Sequence, residues 1–200
     1  MIWKNQMSNL LEKADLRVPP VIITVNEFTE KSVNKFKSEM NQAMNSGQKV
    51  VPIVIDSYGG YVYSLMSMIS MIKACPLQVA TIIQGKAMSC GAILATFGDD
   101  GMRYCDPYAT IMIHEVASGS FGKVEELKAS VEQTDILNDK VLVMMSRNCN
   151  QPDDYFKKLI HEKGHADWYL DPKEALKHQI VNHLKIPTLN LKIDVTIDLE

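Results

Sequence analysis

Arginine is scarce in this sequence: Arg17, Arg103 and Arg147 are the only three among 200 residues. The lysines are scattered and the formal net charge is -3, so no clustered basic surface is offered to a phosphate backbone and a dedicated nucleic-acid function is excluded. Cysteine is thin as well. Cys75, Cys90, Cys105 and Cys149 stand far apart with no CxxC spacing, which reads as free thiols in a reducing compartment rather than a disulfide framework. No stretch approaches the apolar length needed to cross a bilayer. The first residues lack the continuous apolar run of a secretory signal. These absences point to a soluble, cytoplasmic protein with no membrane partner. There is also no linker rich in Pro, Gly or Ser, no internal repeat and no low-complexity segment, and the length suits one domain over residues 1–200.

What is present is an ordinary globular composition, 46% hydrophobic and 22% charged. Residues 1–20 read as a short amphipathic N-terminal segment ending at Pro19-Pro20. Compact β-branched runs over 21–25 and 50–55 predict buried strands. Thr29 is placed to cap a helix whose apolar positions Val33, Phe36, Met40, Ala43 and Met44 share one face, with Gly47 as its stop. A Met-rich helix is predicted over 62–74 and a strand over 79–84. Further strands around 102–105 and 109–113 lead to His114, and a long helix fills 122–149. This alternation predicts an α/β fold with a mostly parallel sheet and flanking helices. Over 186–200, Leu189, Leu191, Ile193, Val195, Ile197 and Leu199 alternate with other residues, the period of a half-buried strand. That strand either completes the chain's own sheet or packs on a neighbouring subunit.

Three features carry chemistry. Gly59-Gly60 closes a buried strand, where backbone N–H groups are free to face a cleft. Ser89 sits at a strand-to-helix junction, near the positive end of a helix dipole. His114 ends an apolar strand, where a base can reach a nucleophile. Each has a plainer reading alone: a turn, an N-cap and a satisfied surface histidine. His161-Glu162-Lys163-Gly164-His165 has the HExxH spacing of zinc peptidases. Gly164 weakens the helix that motif needs, no HxxGxxH extension follows, and the segment reads instead as a polar helix end. His178 and His183 are the candidates for a third ligand, and no metal or cofactor is expected.

The order and spacing of these features match a known pattern. Ile55-Asp56-Ser57-Tyr58-Gly59-Gly60 resembles a strand ending in N-S-P-G-G. Gly85-Lys86-Ala87-Met88-Ser89-Cys90-Gly91-Ala92 resembles a G-x-A-x-S-M-G-A nucleophile turn. Arg103 to Pro107 followed by Ile111-Met112-Ile113-His114 resembles R-x-x-x-P…M-I-H, and Asp167-Trp168-Tyr169-Leu170 with Glu174-Ala175 resembles the downstream acid segment. From about residue 21 to 183 the chain resembles the proteolytic subunit of Clp protease, the ClpP-type serine peptidases.

That resemblance implies a ClpP/crotonase-like fold and a Ser89–His114–Asp167 triad, with Asp171 the competitor for the acid. It implies an oxyanion hole from the backbone N–H groups of Gly60 and Cys90. It implies a serine endopeptidase acting on small peptides and unfolded proteins, a homo-oligomer of two stacked heptameric rings joined through a handle helix, and an AAA+ unfoldase as partner. Residues 115–119 replace the usual Q-P-x-x-G and are expected to form the edge strand on which substrate pairs. Asp56 and Tyr58 stand where the family has Asn and Pro. Three other readings stay open: a capsid or scaffold maturation protease on the same fold, a catalytically silent ring subunit, and a hydratase or isomerase of the crotonase fold.

Overall fold

The computed structural model describes residues 19–164 and 166–190. The N-terminal reading over 1–18, His165 and the alternating segment from Leu191 onward lie outside the described residues. Residues 186–190, at the start of that segment, carry no strand.

The elements run β1 (Ile23–Val25), α1 (Glu30–Asn45), β2 (Val50–Ser57), α2 (Val62–Ala74), β3 (Gln78–Met88), α3 (Cys90–Ala95), β4 (Arg103–Cys105), β5 (Thr110–Ile113), α4 (Val124–Asn148), α5 (Tyr155–Glu162), β6 (Trp168–Leu170) and α6 (Pro172–Lys177). Among the described residues six strands form one sheet in the order β1-β2-β3-β5-β6, and β4 pairs with the earlier half of β3. Every pairing is parallel except β5 with β6, which is antiparallel. The fold is therefore α/β with a mostly parallel sheet and flanking helices. Among the described residues no helix is long and apolar enough to cross a membrane.

Local rules account for the helices nearest the site. Thr29 caps α1 as its position predicts: its Oγ1 accepts from Ser32 N–H at 3.2 Å, while Ser32 Oγ accepts from Thr29 N–H at 2.9 Å. Phe36, Met40 and Ala43 are the buried stripe of that helix, and Met44 is turned partly outward. All six residues of α3 are buried, which explains its small side chains: a helix enclosed on every side has no room for a polar face. Its glycine, Gly91, lies so close to β2 that an added Cβ would meet Ser57 O at 3.4 Å.

β3 is longer than its apolar run predicts. The ladder with β2 pairs Ile55 with Ile83 and resumes at Ser57 with Ala87. Asp56 alone thus faces Gln84, Gly85 and Lys86. Gly85 takes the positive φ of +80° that this bulge requires. Read from sequence, Gly85-Lys86 looks like a turn; strands on both sides hold it in the sheet instead.

Candidate active site

β3 delivers its last residue, Met88, beside Met112 of β5, and Ser89 N–H donates to Met112 O at 2.8 Å. The chain then reverses into α3 in a single residue. Ser89 has φ 54° and ψ -120°, a conformation rarely open to a residue with a side chain and costing about 1–3 kcal/mol. Its carbonyl accepts the first bonds of α3, from Ala92 N–H at 3.0 Å and Ile93 N–H at 3.3 Å. Burial of the whole of α3 holds the strain. The elbow leaves Ser89 Oγ clear of its own backbone, 2.8 Å from His114 Nε2.

His114 follows the last residue of β5, and the β5–β6 register brings an acid to it. Ile113 lies opposite Trp168, so the next pair outward sets His114 opposite Asp167, where cross-strand side chains meet. Asp167 Oδ1 is 3.6 Å from His114 Nδ1, with the two side chains 52% and 27% exposed. That is ion-pair reach rather than a hydrogen bond. Nδ1 of His114 thus faces Asp167 while its Nε2 faces Ser89 Oγ. Asp171, the other candidate acid, is occupied elsewhere: its Oδ1 accepts from Glu174 N–H at 2.8 Å as the N-cap of α6.

Two glycines lie beside the elbow. Gly59 and Gly60 have φ of +108° and +148°. A Cβ on Gly59 would fall 2.8 Å from Ser89 Cβ, and one on Gly60 would fall 2.6 Å from Phe28 O. No other residue fits either position without displacing the elbow or the loop. Phe28 N–H donates to Gly59 O and Tyr61 N–H donates to Phe28 O, a parallel bridge in which Gly60 is the facing residue. A residue so placed turns its own N–H and C=O away from that partner. Gly60 O accordingly meets the Cys90 thiol at 3.3 Å. Cys90 opens α3, where an N–H has no intrahelical acceptor. Burial pushes the Cys90 thiol up to about 11, away from the reactive thiolate form.

Ser57 has a role that the sequence did not signal. Its buried Oγ accepts from Gly59 N–H at 3.0 Å and holds the glycine loop in place. Asn138, buried on α4, likewise accepts from Val116 N–H at 3.0 Å through its Oδ1. Residues 115–119, expected as an edge strand, carry no ladder here; a lone edge has nothing to pair with, and this tie to α4 is their anchor. Glu115 turns to His161, 3.5 Å away.

The zinc spacing is not carried by one helix. α5 ends at Glu162, and Gly164 has φ +76°. His178 Nδ1 is bonded to Tyr155 OH at 2.7 Å, and His183 Nε2 to Gly101 O at 2.9 Å. Among the described residues no group of three or more His, Cys, Asp or Glu side chains is placed to hold a metal ion.

A serine hydroxyl 2.8 Å from an imidazole nitrogen, beside a glycine pair of positive φ, is an arrangement suited to attack on a carbonyl. The family model described as Clp protease matches residues 3–186. The chain belongs to the Clp protease family. It is also similar to the ATP-dependent Clp protease proteolytic subunit of Deinococcus radiodurans, 27% identical over 137 residues. That match covers 68% of this chain and 65% of the relative's length.

Proposed function

We propose that this member of the Clp protease family is a serine endopeptidase with Ser89 as nucleophile, His114 as general base and Asp167 as the orienting acid. The observation that carries the reading is the 2.8 Å contact between Ser89 Oγ and His114 Nε2 at a strained elbow. Ser89 Oγ attacks the peptide carbonyl as His114 takes its proton. His114 then gives that proton to the leaving amine, and water hydrolyses the acyl-enzyme by the same route in reverse. Asp167 favours the productive tautomer and stabilises the imidazolium. The N–H groups of Gly60 and Cys90 receive the oxyanion, each donor worth roughly 3–4 kcal/mol in the transition state.

The proposed substrates are small peptides and unfolded chains, admitted to a chamber formed by a homo-oligomer of two stacked heptameric rings and fed by an AAA+ unfoldase. Support for assembly comes from α4. Its second half buries Val141, Leu142 and Met145 in this chain, whereas Val124, Val131 and Ile136 of its first half are exposed, next to a fully exposed Phe121. Apolar side chains at this density on one helix fit a contact between copies. A monomer by light scattering at micromolar concentration would count against the chamber.

The chemistry is tested by a fluorophosphonate probe with mapping of the adduct. Labelling on Ser89 is expected, and Ser89→Ala should abolish labelling and lower peptidase activity by roughly 10⁴-fold or more. Adducts elsewhere, or none on a correctly assembled protein, would overturn the assignment.

A further inference from the structure

The two halves of the proposed oxyanion pocket come from different strands, and each is preceded by a charge at the same distance. Asp56 lies three residues before Gly59, and Lys86 three residues before Ser89 (59 − 56 and 89 − 86). Across the sheet their side chains meet, with Lys86 Nζ 2.6 Å from Asp56 Oδ1. They meet at the bulge where the β2–β3 ladder breaks between Ile55 and Ser57. Gly85 makes room for the carboxylate, since a Cβ there would stand 3.1 Å from Asp56 Oδ1. The ammonium also lies 4.4 Å from the centre of the Tyr58 ring, a cation–π contact. Tyr58 is the residue before Gly59 and is otherwise largely exposed.

We propose that the Asp56–Lys86 pair, covered by Tyr58, is a positioning clamp that replaces the interrupted backbone ladder and fixes the Gly59–Gly60 loop against the Ser89 elbow. Half-exposed ion pairs add little to global stability, so the effect is local. It matters because the loop touches the nucleophile itself: Gly59 has no space for even one methyl group beside Ser89. Asp56 and Tyr58 are the positions where this chain departs from the Asn and Pro of the motif it resembles, and both departures converge on one lysine. The inference rests on Ser89 as nucleophile for its catalytic meaning, but its structural content stands apart from that.

The test compares Asp56→Ala, Lys86→Met, the double variant and Lys86→Arg in the assembled protein. Three quantities are read: peptide kcat and KM, the rate of fluorophosphonate labelling, and amide hydrogen exchange over residues 57–61 and 86–91. Each single charge removal should lower kcat and labelling about tenfold and leave KM within about twofold, the pattern of a misplaced catalytic group. The double variant should be no worse than the worse single, because the two residues act as one unit. Lys86→Arg should retain wild-type rates. Exchange should rise in both segments of the broken-pair variants and nowhere else. Arg147→Met, which breaks an exposed pair to Asp153 of 2.8 and 2.7 Å at the far end of α4, should change none of these. Multiplicative losses in the double variant, a loss in KM alone, or unchanged exchange would each overturn the clamp. Failure of the wild type to label at Ser89 would instead sink the peptidase assignment, and exchange alone would then decide the clamp.

Discussion

Ser89 and Asp167 flank the same imidazole and are held there by opposite means. On the serine side the supporting elements are enclosed. β3 is paired with β2, β4 and β5, α3 is buried along its whole length, and Gly59 touches the nucleophile. On the acid side, Asp167 precedes a three-residue strand at the sheet edge. Its carboxylate is about half exposed and stops 3.6 Å short of His114. The distance from Ser89 to His114, the proposed nucleophile and base, is thus fixed by the core of this chain. The acid's approach depends on a three-residue edge strand paired on one side only, whose Trp168 and Leu170 are buried while Asp167 itself projects half exposed beyond them.

Breaking the enclosed side should cost most. Gly59→Ala forces a Cβ to within 2.8 Å of Ser89 Cβ, which displaces the loop and the donor proposed at Gly60. A fall in kcat of about 10²–10³-fold is expected, with the fold retained by circular dichroism. On the open side, Asp167→Asn should cost less, about 10- to 100-fold in kcat. A half-exposed carboxylate beyond hydrogen-bond distance orients the imidazole more weakly than a buried one, for which losses near 10⁴ are typical. A loss equal to that of Ser89→Ala would mean that the two sides are equally built.

Two smaller effects sharpen the contrast. Asp171→Ala removes the cap of α6 and should lower unfolding stability by about 1 kcal/mol, with fluorophosphonate labelling unchanged; a collapse of labelling would make Asp171 the acid. Cys90→Ala should stay within about threefold of wild type in kcat, since the donor proposed at that position is the backbone N–H, which the substitution keeps.

Much of this arrangement is legible in the sequence because it is written in local terms. The Thr29 cap, the apolar stripe of α1 and the β-branched runs of β1 and β2 follow from periodicity and capping chemistry within a few residues. The order of Gly60, Ser89 and His114 is legible as a motif. The bulge is not, because Gly85-Lys86 taken alone has the composition of a turn and becomes strand only between two neighbours. The Asp56–Lys86 contact is hidden for the same reason: it joins residues 30 apart in sequence. The choice between Asp167 and Asp171 also turns on register, since one antiparallel pairing sets Asp167 opposite His114 and leaves Asp171 to cap a helix.

The sequence by itself determined the alternation of strands and helices, the scarcity of basic surface and the residue types able to act on a carbonyl. All of these depend on composition and short-range pattern. Only the tertiary structure decided that Ser89 adopts a positive φ, that Gly59 and Gly60 must be glycines, and that His114 stands between Ser89 and Asp167. Each of those is a contact between segments distant along the chain. Burial of α3 sustains the strain at Ser89, and sheet register sets what faces what.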